Sequence, residues 1–224
     1  MKKLIKGIVD FRKTSIAGYR NKFAKLALQQ KPDALMVACC DSRVVPNVFA
    51  SSDPGDLFVL RNLGNLTTPY QSDSSRDISS ASAIEFSLAN LGVSDIIICG
   101  HSECGAMYKL LEQNEAQYNS APQPLLDEWL KNATPSYQRF MDNTFMPEDG
   151  LTPCNRLSRI NVLQQLDNLE TYPLVKERLK DNSLRIHGWW FDLTTADVYY
   201  YNHVHKKFIV INEEEGESII SSAG

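Results

Sequence analysis

The chain has 224 residues, 43% of them hydrophobic and 22% charged, with 23 Lys and Arg against 27 Asp and Glu for a formal charge of -4. That is the make-up of one folded domain with a sizeable core, which excludes a disordered chain; with no run of Lys and Arg interleaved with aromatics, it also excludes an electrostatic footprint for nucleic acid. Five cysteines, two of them adjacent at Cys39 and Cys40, do not make a secreted disulfide framework in a chain this long, so reduced thiols or a metal fit better.

Met1-Lys2-Lys3-Leu4-Ile5-Lys6 begins like a signal peptide, but Lys6, Asp10, Arg12 and Lys13 break the apolar stretch such a peptide needs. No run approaches the ~18 apolar residues of a membrane-spanning helix. The reading is a cytoplasmic protein with no membrane or nucleic-acid partner. From Leu4 to Gln29 apolar residues recur at helical steps, with Gly7 and Gly18 as weak points, and predict two amphipathic helices that Pro32 ends. Leu35 to Ala38 then reads as a strand covered on both faces, and the turn-rich Ser51 to Asp56 leads into a second, Leu57 to Leu60. Residues 67 to 77 read as surface loop, and Ile78 to Leu91 as a helix ended by Gly92. Asp95 to Cys99 is the third strand, followed by a helix through Met107, Leu110 and Leu111. The stretch from 112 to 154 is cut by Pro122, Pro124, Pro135, Pro147 and Pro153, and only Leu125 to Asn132 suggests a helix. Asn155 to Leu169 is a longer helix and Val175 to Lys180 a short one. Leu184 to Phe191 is the fourth strand, Asp197 to Tyr201 and Phe208 to Ile211 form an antiparallel pair, and Glu213-Glu214-Glu215 is a solvated tail. Alternating strands and helices without repeat or linker predict a single α/β domain over 1–224 with a mostly parallel sheet.

Two stretches carry chemistry. Ala38-Cys39-Cys40-Asp41-Ser42-Arg43 and Gly100-His101-Ser102-Glu103-Cys104-Gly105 each follow an apolar strand. If those strands are neighbours, Cys39, His101 and Cys104 converge at the strand ends, where ligands sit in open α/β sheets. Two thiolates and an imidazole are zinc ligands, and a catalytic zinc site leaves its fourth position to water or substrate. The competing reading is a buried core thiol and a hydrogen-bonded loop histidine. Asp41 could close the fourth position or take a proton there, and Arg43 could hold its carboxylate in a bidentate contact; the bland reading of that pair is a surface salt bridge.

Cys39-Cys40-Asp41-Ser42-Arg43 with His101-Ser102-Glu103-Cys104 resembles the paired signature of the β-class carbonic anhydrases, C-x-D-S-R and H-x-x-C, with the plant-like branch the nearer pattern. The likeness extends over Gln30-Lys31-Pro32, Pro54 to Asn62, Leu166 to Leu169 and His187-Gly188-Trp189. It implies four parallel strands with an added antiparallel C-terminal strand, flanked by helices, and an N-terminal helical arm over 1–30 that embraces a second subunit. It implies reversible hydration of carbon dioxide to bicarbonate on one Zn²⁺ per chain, in a dimer or dimer of dimers with active sites at the dimer interface. Carried onto this chain, the ligands are Cys39, His101 and Cys104, and the catalytic dyad is Asp41 with Arg43. Gln30, Phe58, Phe86 and Gly105 bind substrate, with Phe86 standing where the plant-like branch carries tyrosine.

Two thiolates cancel the formal charge of Zn²⁺, so the metal acidifies water less than a site with neutral ligands, where the pKa is ~7, and orientation by Asp41 must help. Met36 and Phe191 replace a tryptophan and a tyrosine of members with an inhibitory bicarbonate site. Only Arg61 of that set remains, which predicts an open fourth position. Cys40 is expected to be a packed small residue, Cys99 core, His187 structural, and His203 and His205 solvated. Two other functions stay open: hydrolysis of carbon disulfide or carbonyl sulfide on the same ligands, and a zinc protein without turnover.

Overall fold

In the computed structural model of the chain, residues 1–70, 77–114, 121–142 and 150–222 are described. The apolar runs become β1 (Ala34–Cys39), β2 (Leu57–Asn62), β3 (Asp95–His101) and β4 (Arg185–Phe191), followed by β5 (Val198–Asn202) and β6 (Lys207–Val210). They form one sheet in the order β2-β1-β3-β4-β5-β6; the first four are parallel, and β5 and β6 are antiparallel to their neighbours. The C-terminal addition is the antiparallel pair read from the residues, one strand more than the family resemblance implies. β1 is buried along its whole length because it lies between β2 and β3 with both faces covered. Strand order reverses between β1 and β3, which opens a crevice at their carboxyl ends.

Helices α1 (Lys2–Thr14) and α2 (Ile16–Leu26) form the arm, and they break at Ser15 rather than at either glycine. α1 buries nothing within the chain, and Leu4, Ile5, Ile8 and Phe11 are exposed. α2 is tied down by a Lys22–Asp53 ion pair and by Leu26, whose Cδ2 sits 2.6 Å from where a Cβ on Gly55 would be. Gly55 has φ +102, so both its conformation and its neighbour require glycine. A short α3 (Pro46–Phe49), not foreseen, follows β1, and its Phe49 ring stacks on Phe191 at 4.7 Å.

α4 (Ile78–Phe86) is capped by Asp77, whose side chain accepts from Ser80 N–H, and passes into a π-helical turn over 87–91 that ends at Gly92 with φ +67. α5 (Gly105–Gln113) leaves the second motif. In the proline-rich stretch, α6 (Pro124–Leu130), a 3₁₀ turn over 131–133 and α7 (Thr134–Met141) follow one another. Prolines that read as breaks stand in the first turn of these helices, and again at Pro153 of α8 (Pro153–Leu169), where a missing N–H costs nothing. α9 (Pro173–Lys180) precedes β4, and the acidic tail opens α10 (Glu213–Ser222), where negative charge suits a helix N-terminus.

α8 is the central support of the fold. Val162, Leu163, Leu166 and Leu169 pack on Leu35, Val37, Ile96, Ile98 and Trp190 of the sheet. Close approach is possible because Gly100 and Gly188 face it: a Cβ on Gly100 would lie 2.7 Å from Val162 Cγ2, and one on Gly188 3.0 Å from Val162 Cγ1. It also buries polar residues, among them Ser158, Asn161, Gln165 and Asn168. They explain why the expected surface loop from 67 to 77 is buried at Thr67 and Thr68. Gln165 Oε1 accepts Thr67 N–H at 2.8 Å, Asn168 Nδ2 donates to Thr67 O at 2.7 Å, and Tyr172 O–H donates to Thr68 O at 3.0 Å. Residues 71–76 of that loop lie outside the described residues. Among the described residues no helix is long and apolar enough to cross a membrane.

Candidate active site

The two motif strands are neighbours, with Val37 opposite Ile98 and Ala38 opposite Cys99. Cys39 and His101 end β1 and β3, and Cys104 is the cap residue of α5. Their three donor atoms lie within 4.8 Å of one another, and all three residues are buried. His101 Nδ1 sits 2.8 Å from Ser102 O, and since a carbonyl only accepts, Nδ1 carries the proton and Nε2 presents a lone pair. That Nε2 is buried without a hydrogen-bond partner. A buried acceptor left open beside two thiols is the arrangement a metal satisfies, and the thiolate and imidazole set suits zinc.

A shared hydrogen bond couples the two thiols. Cys39 is pulled down to about 4 by the hydrogen bond from Cys104, against burial, with further help from His101 and the N–H of Gly64 at 3.5 Å. Cys104 is pushed well up by the same hydrogen bond and by burial. One proton shared by two sulfurs is what a divalent cation displaces on binding.

Asp41 and Arg43 form a closed fork: Arg43 Nε and backbone N–H donate to Asp41 Oδ1, both at 2.9 Å, and Nη2 donates to Oδ2 at 2.7 Å. The Arg43 guanidinium holds the carboxyl well below the usual carboxylate range. Arg43 Nη2 also reaches Glu103 O at 3.1 Å, joining the first loop to the second. Arg61 holds the backbone of the first loop, donating to Cys39 O, Asp41 O and Val44 O at 2.8 Å each. The remaining ties come from α8 and were not foreseen. Ser158 Oγ donates to His101 O at 2.7 Å, Asn155 Oδ1 accepts Glu103 N–H at 2.8 Å, and Asn161 Nδ2 donates to Gly64 O at 2.9 Å. Their only sequence signal was polar residues interrupting a helical apolar pattern.

The expected substrate residues are brought together in part. Phe58 and Phe86 lie with ring centroids 5.9 Å apart, and Phe86 is 40% exposed. Gly105 opens α5, and a side chain there would meet nothing within 4 Å. Gln30 is exposed just beyond α2, and no hydrogen bond among the described residues ties it to the cluster. Cys40 corrects an expectation, for it is exposed instead of packed: its N–H bonds Asn62 O, and its thiol is not among the three donors of the cluster. Cys99 is core and burial pushes it up to about 12. Cys154, expected in a loop, is buried in the first turn of α8. His187 pairs with Asp95 at 2.8 Å, and His203 and His205 are exposed. Met36 and Phe191 are both buried in one core cluster.

Comparison with known proteins agrees with this geometry. A family model described as carbonic anhydrase matches residues 34–198. The chain is 36% identical to a carbonic anhydrase of Synechocystis over 209 residues, 93% of this chain and 74% of that one. It is 33% identical to a carbonic anhydrase of Helicobacter pylori over 213 residues, 92% and 93% of the two chains. Among solved structures it resembles the β-carbonic anhydrase CcaA with a TM-score of 0.83 at 36% identity, covering 94% of this chain and 98% of that one. It also resembles the tetrameric β-carbonic anhydrases of Sordaria macrospora, with a TM-score of 0.73 at 25% identity over 89% and 95%. Matches of this extent, over the same strands that carry the buried Cys39-His101-Cys104 cluster, make the chain a member of the carbonic anhydrase family, in its β class.

Proposed function

We propose that the protein catalyses zinc-dependent reversible hydration of carbon dioxide, with Cys39, His101 and Cys104 as ligands and Asp41 with Arg43 as the catalytic dyad. The observation that carries the reading is the buried, unpartnered His101 Nε2 beside two thiols. Zinc held by this set supplies the Lewis acidity that makes water nucleophilic near neutral pH.

The chain's own residues do the rest. Asp41, kept ionised by Arg43, is an acceptor only, so it takes a hydrogen bond from a protonated oxygen and turns that oxygen's lone pair toward the substrate. Because Arg43 grips both carboxylate oxygens, Asp41 is drawn to its partner and would leave a bound metal's remaining position to water or substrate. Phe58 and Phe86 form an apolar slot for an uncharged substrate, and Gly105 opens helix α5, an end where backbone N–H groups suit developing negative charge.

A second copy of the chain completes the site in this proposal. One chain leaves Gln30 exposed and the apolar side of α1 uncovered, and the Sordaria macrospora relatives are tetramers. The test is stopped-flow hydration of carbon dioxide with a pH indicator, on wild type and Asp41→Ala. The wild type is expected to exceed the buffer rate, and Asp41→Ala to lose about 10²-fold or more in kcat. Zinc-loaded wild type no faster than buffer would overturn the reading.

A further inference from the structure

We propose that Asn155 is a positioning residue that keeps the Asp41–Arg43 fork aimed at the loop carrying His101 and Cys104, by holding Glu103 in a left-handed backbone conformation. This deepens the carbonic anhydrase reading and rests on it.

Glu103 has φ +53, a region that L residues other than Asn and Asp avoid. Its flanks are fixed independently. Ser158 holds His101 O, Phe191 O accepts Ser102 N–H at 2.9 Å, and Cys104 starts α5. Within this frame Glu103 sends its N–H to Asn155 Oδ1 at 2.8 Å and its carbonyl to Arg43 Nη2 at 3.1 Å. The second contact ties the dyad to the loop that carries His101 and Cys104. Arg43's other hydrogen bonds among the described residues go to Asp41, two residues away, so they fix the shape of the fork but not its bearing on the second loop. Without the Asn155 acceptor, the Glu103 N–H loses its partner and the backbone relaxes toward negative φ. The carbonyl then turns off Arg43, and the fork swings with its own loop.

An ordinary structural role for Asn155, as an early residue of α8, would lower stability and leave turnover per zinc unchanged. Positioning moves kcat and spares KM. The experiment compares Asn155→Ala, Asn155→Asp, Glu103→Gly and the Asn155→Ala/Glu103→Gly double variant for zinc content, carbon dioxide hydration and crystal structure. Asn155→Ala is expected to keep its zinc and KM and to lose about tenfold in kcat, the effect of one hydrogen bond on a working geometry. Asn155→Asp retains the acceptor and is expected to stay within about twofold of wild type. Glycine accepts positive φ without strain, so Glu103→Gly in the Asn155→Ala background is expected to raise kcat at least about threefold. The crystal structure of Asn155→Ala should show Glu103 at negative φ and Arg43 Nη2 beyond about 4 Å from its carbonyl.

An unchanged kcat in Asn155→Ala, no gain from glycine, or Glu103 still at positive φ with Arg43 in contact would each overturn the proposal. If Asn155→Ala does not fold, Asn155→Asp decides: full zinc with kcat below about half of wild type overturns it, and wild-type turnover supports it. Wild type without hydration activity would remove the carbonic anhydrase reading, and the crystallographic comparison would still test the relay.

Discussion

Replacing Gly100 by alanine tests how the ligand strand meets its supporting helix. The added Cβ would lie 2.7 Å from Val162 Cγ2 and 3.3 Å from the backbone oxygen of Ser158. Carbon pairs rest at ~3.5–4.0 Å, so strand and helix must part by about 1 Å. Val162 cannot swing aside, because a β-branched residue in a helix has one favoured rotamer. Such overpacking costs about 1–3 kcal/mol, and the lower backbone entropy of alanine returns about 0.5–1 kcal/mol, leaving a net loss of about 1–2 kcal/mol. The assay is urea unfolding at fixed protomer concentration, where the midpoint should fall at unchanged slope. Val162→Ala removes the opposing methyls and alone costs roughly 2 kcal/mol. The double variant should be more stable than the sum of the two losses by about 1 kcal/mol, since each change relieves the other. A Gly100→Ala variant within about 0.5 kcal/mol of wild type, or strict additivity in the double variant, would refute the reasoning.

Cys104→Ser should lose its metal, checked by elemental analysis of the purified protein; one zinc per chain retained would show that the ligand assignment is wrong. Gln165→Leu strands the Thr67 N–H in the interior and should cost about 1–3 kcal/mol by urea unfolding; an unchanged midpoint would deny that Gln165 anchors that loop. Asp95 gives a pH test: burial raises its pKa, but His187, Arg185 and Ser94 outweigh that and hold it below the usual carboxylate range. A depressed carboxylate stabilises the fold above its unfolded pKa of about 3.9 and loses that contribution as pH falls toward its folded value. The stability gap between wild type and Asp95→Asn should therefore be largest near neutrality and shrink below about pH 4; a constant gap would refute it.

The sheet was legible because its parallel strands are continuous apolar runs, and the cluster of Cys39, His101 and Cys104 because two of them end neighbouring strands and the third follows three residues after one of those ends. Where the sequence misled, the missing information was distant in the chain. Thr67 and Thr68 look like surface residues, yet their backbone partners are Gln165, Asn168 and Tyr172, about a hundred positions later. Pro124, Pro135 and Pro153 look like interruptions because a proline at a helix start and one in a loop are identical until the following residues are placed. Cys40 reads as a packed small residue, but one step past the end of β1 it is exposed. Gln30 lies outside the reach of any argument from one chain, since its surroundings in that chain are solvent.

The ties from α8 also bear on when the site comes into being. Cys39, His101 and Cys104 lie in the first half of the chain, whereas Asn155, Ser158 and Asn161, which hold the backbone around them, lie in the second. A growing chain thus carries every donor long before it has the groups that aim them. Contacts separated by 52, 57 and 97 positions close late, because the loop entropy must be spent first. On the proposed zinc reading, loading with metal would be a closing event of folding, and a chain truncated before residue 150 would hold the motif and not the site.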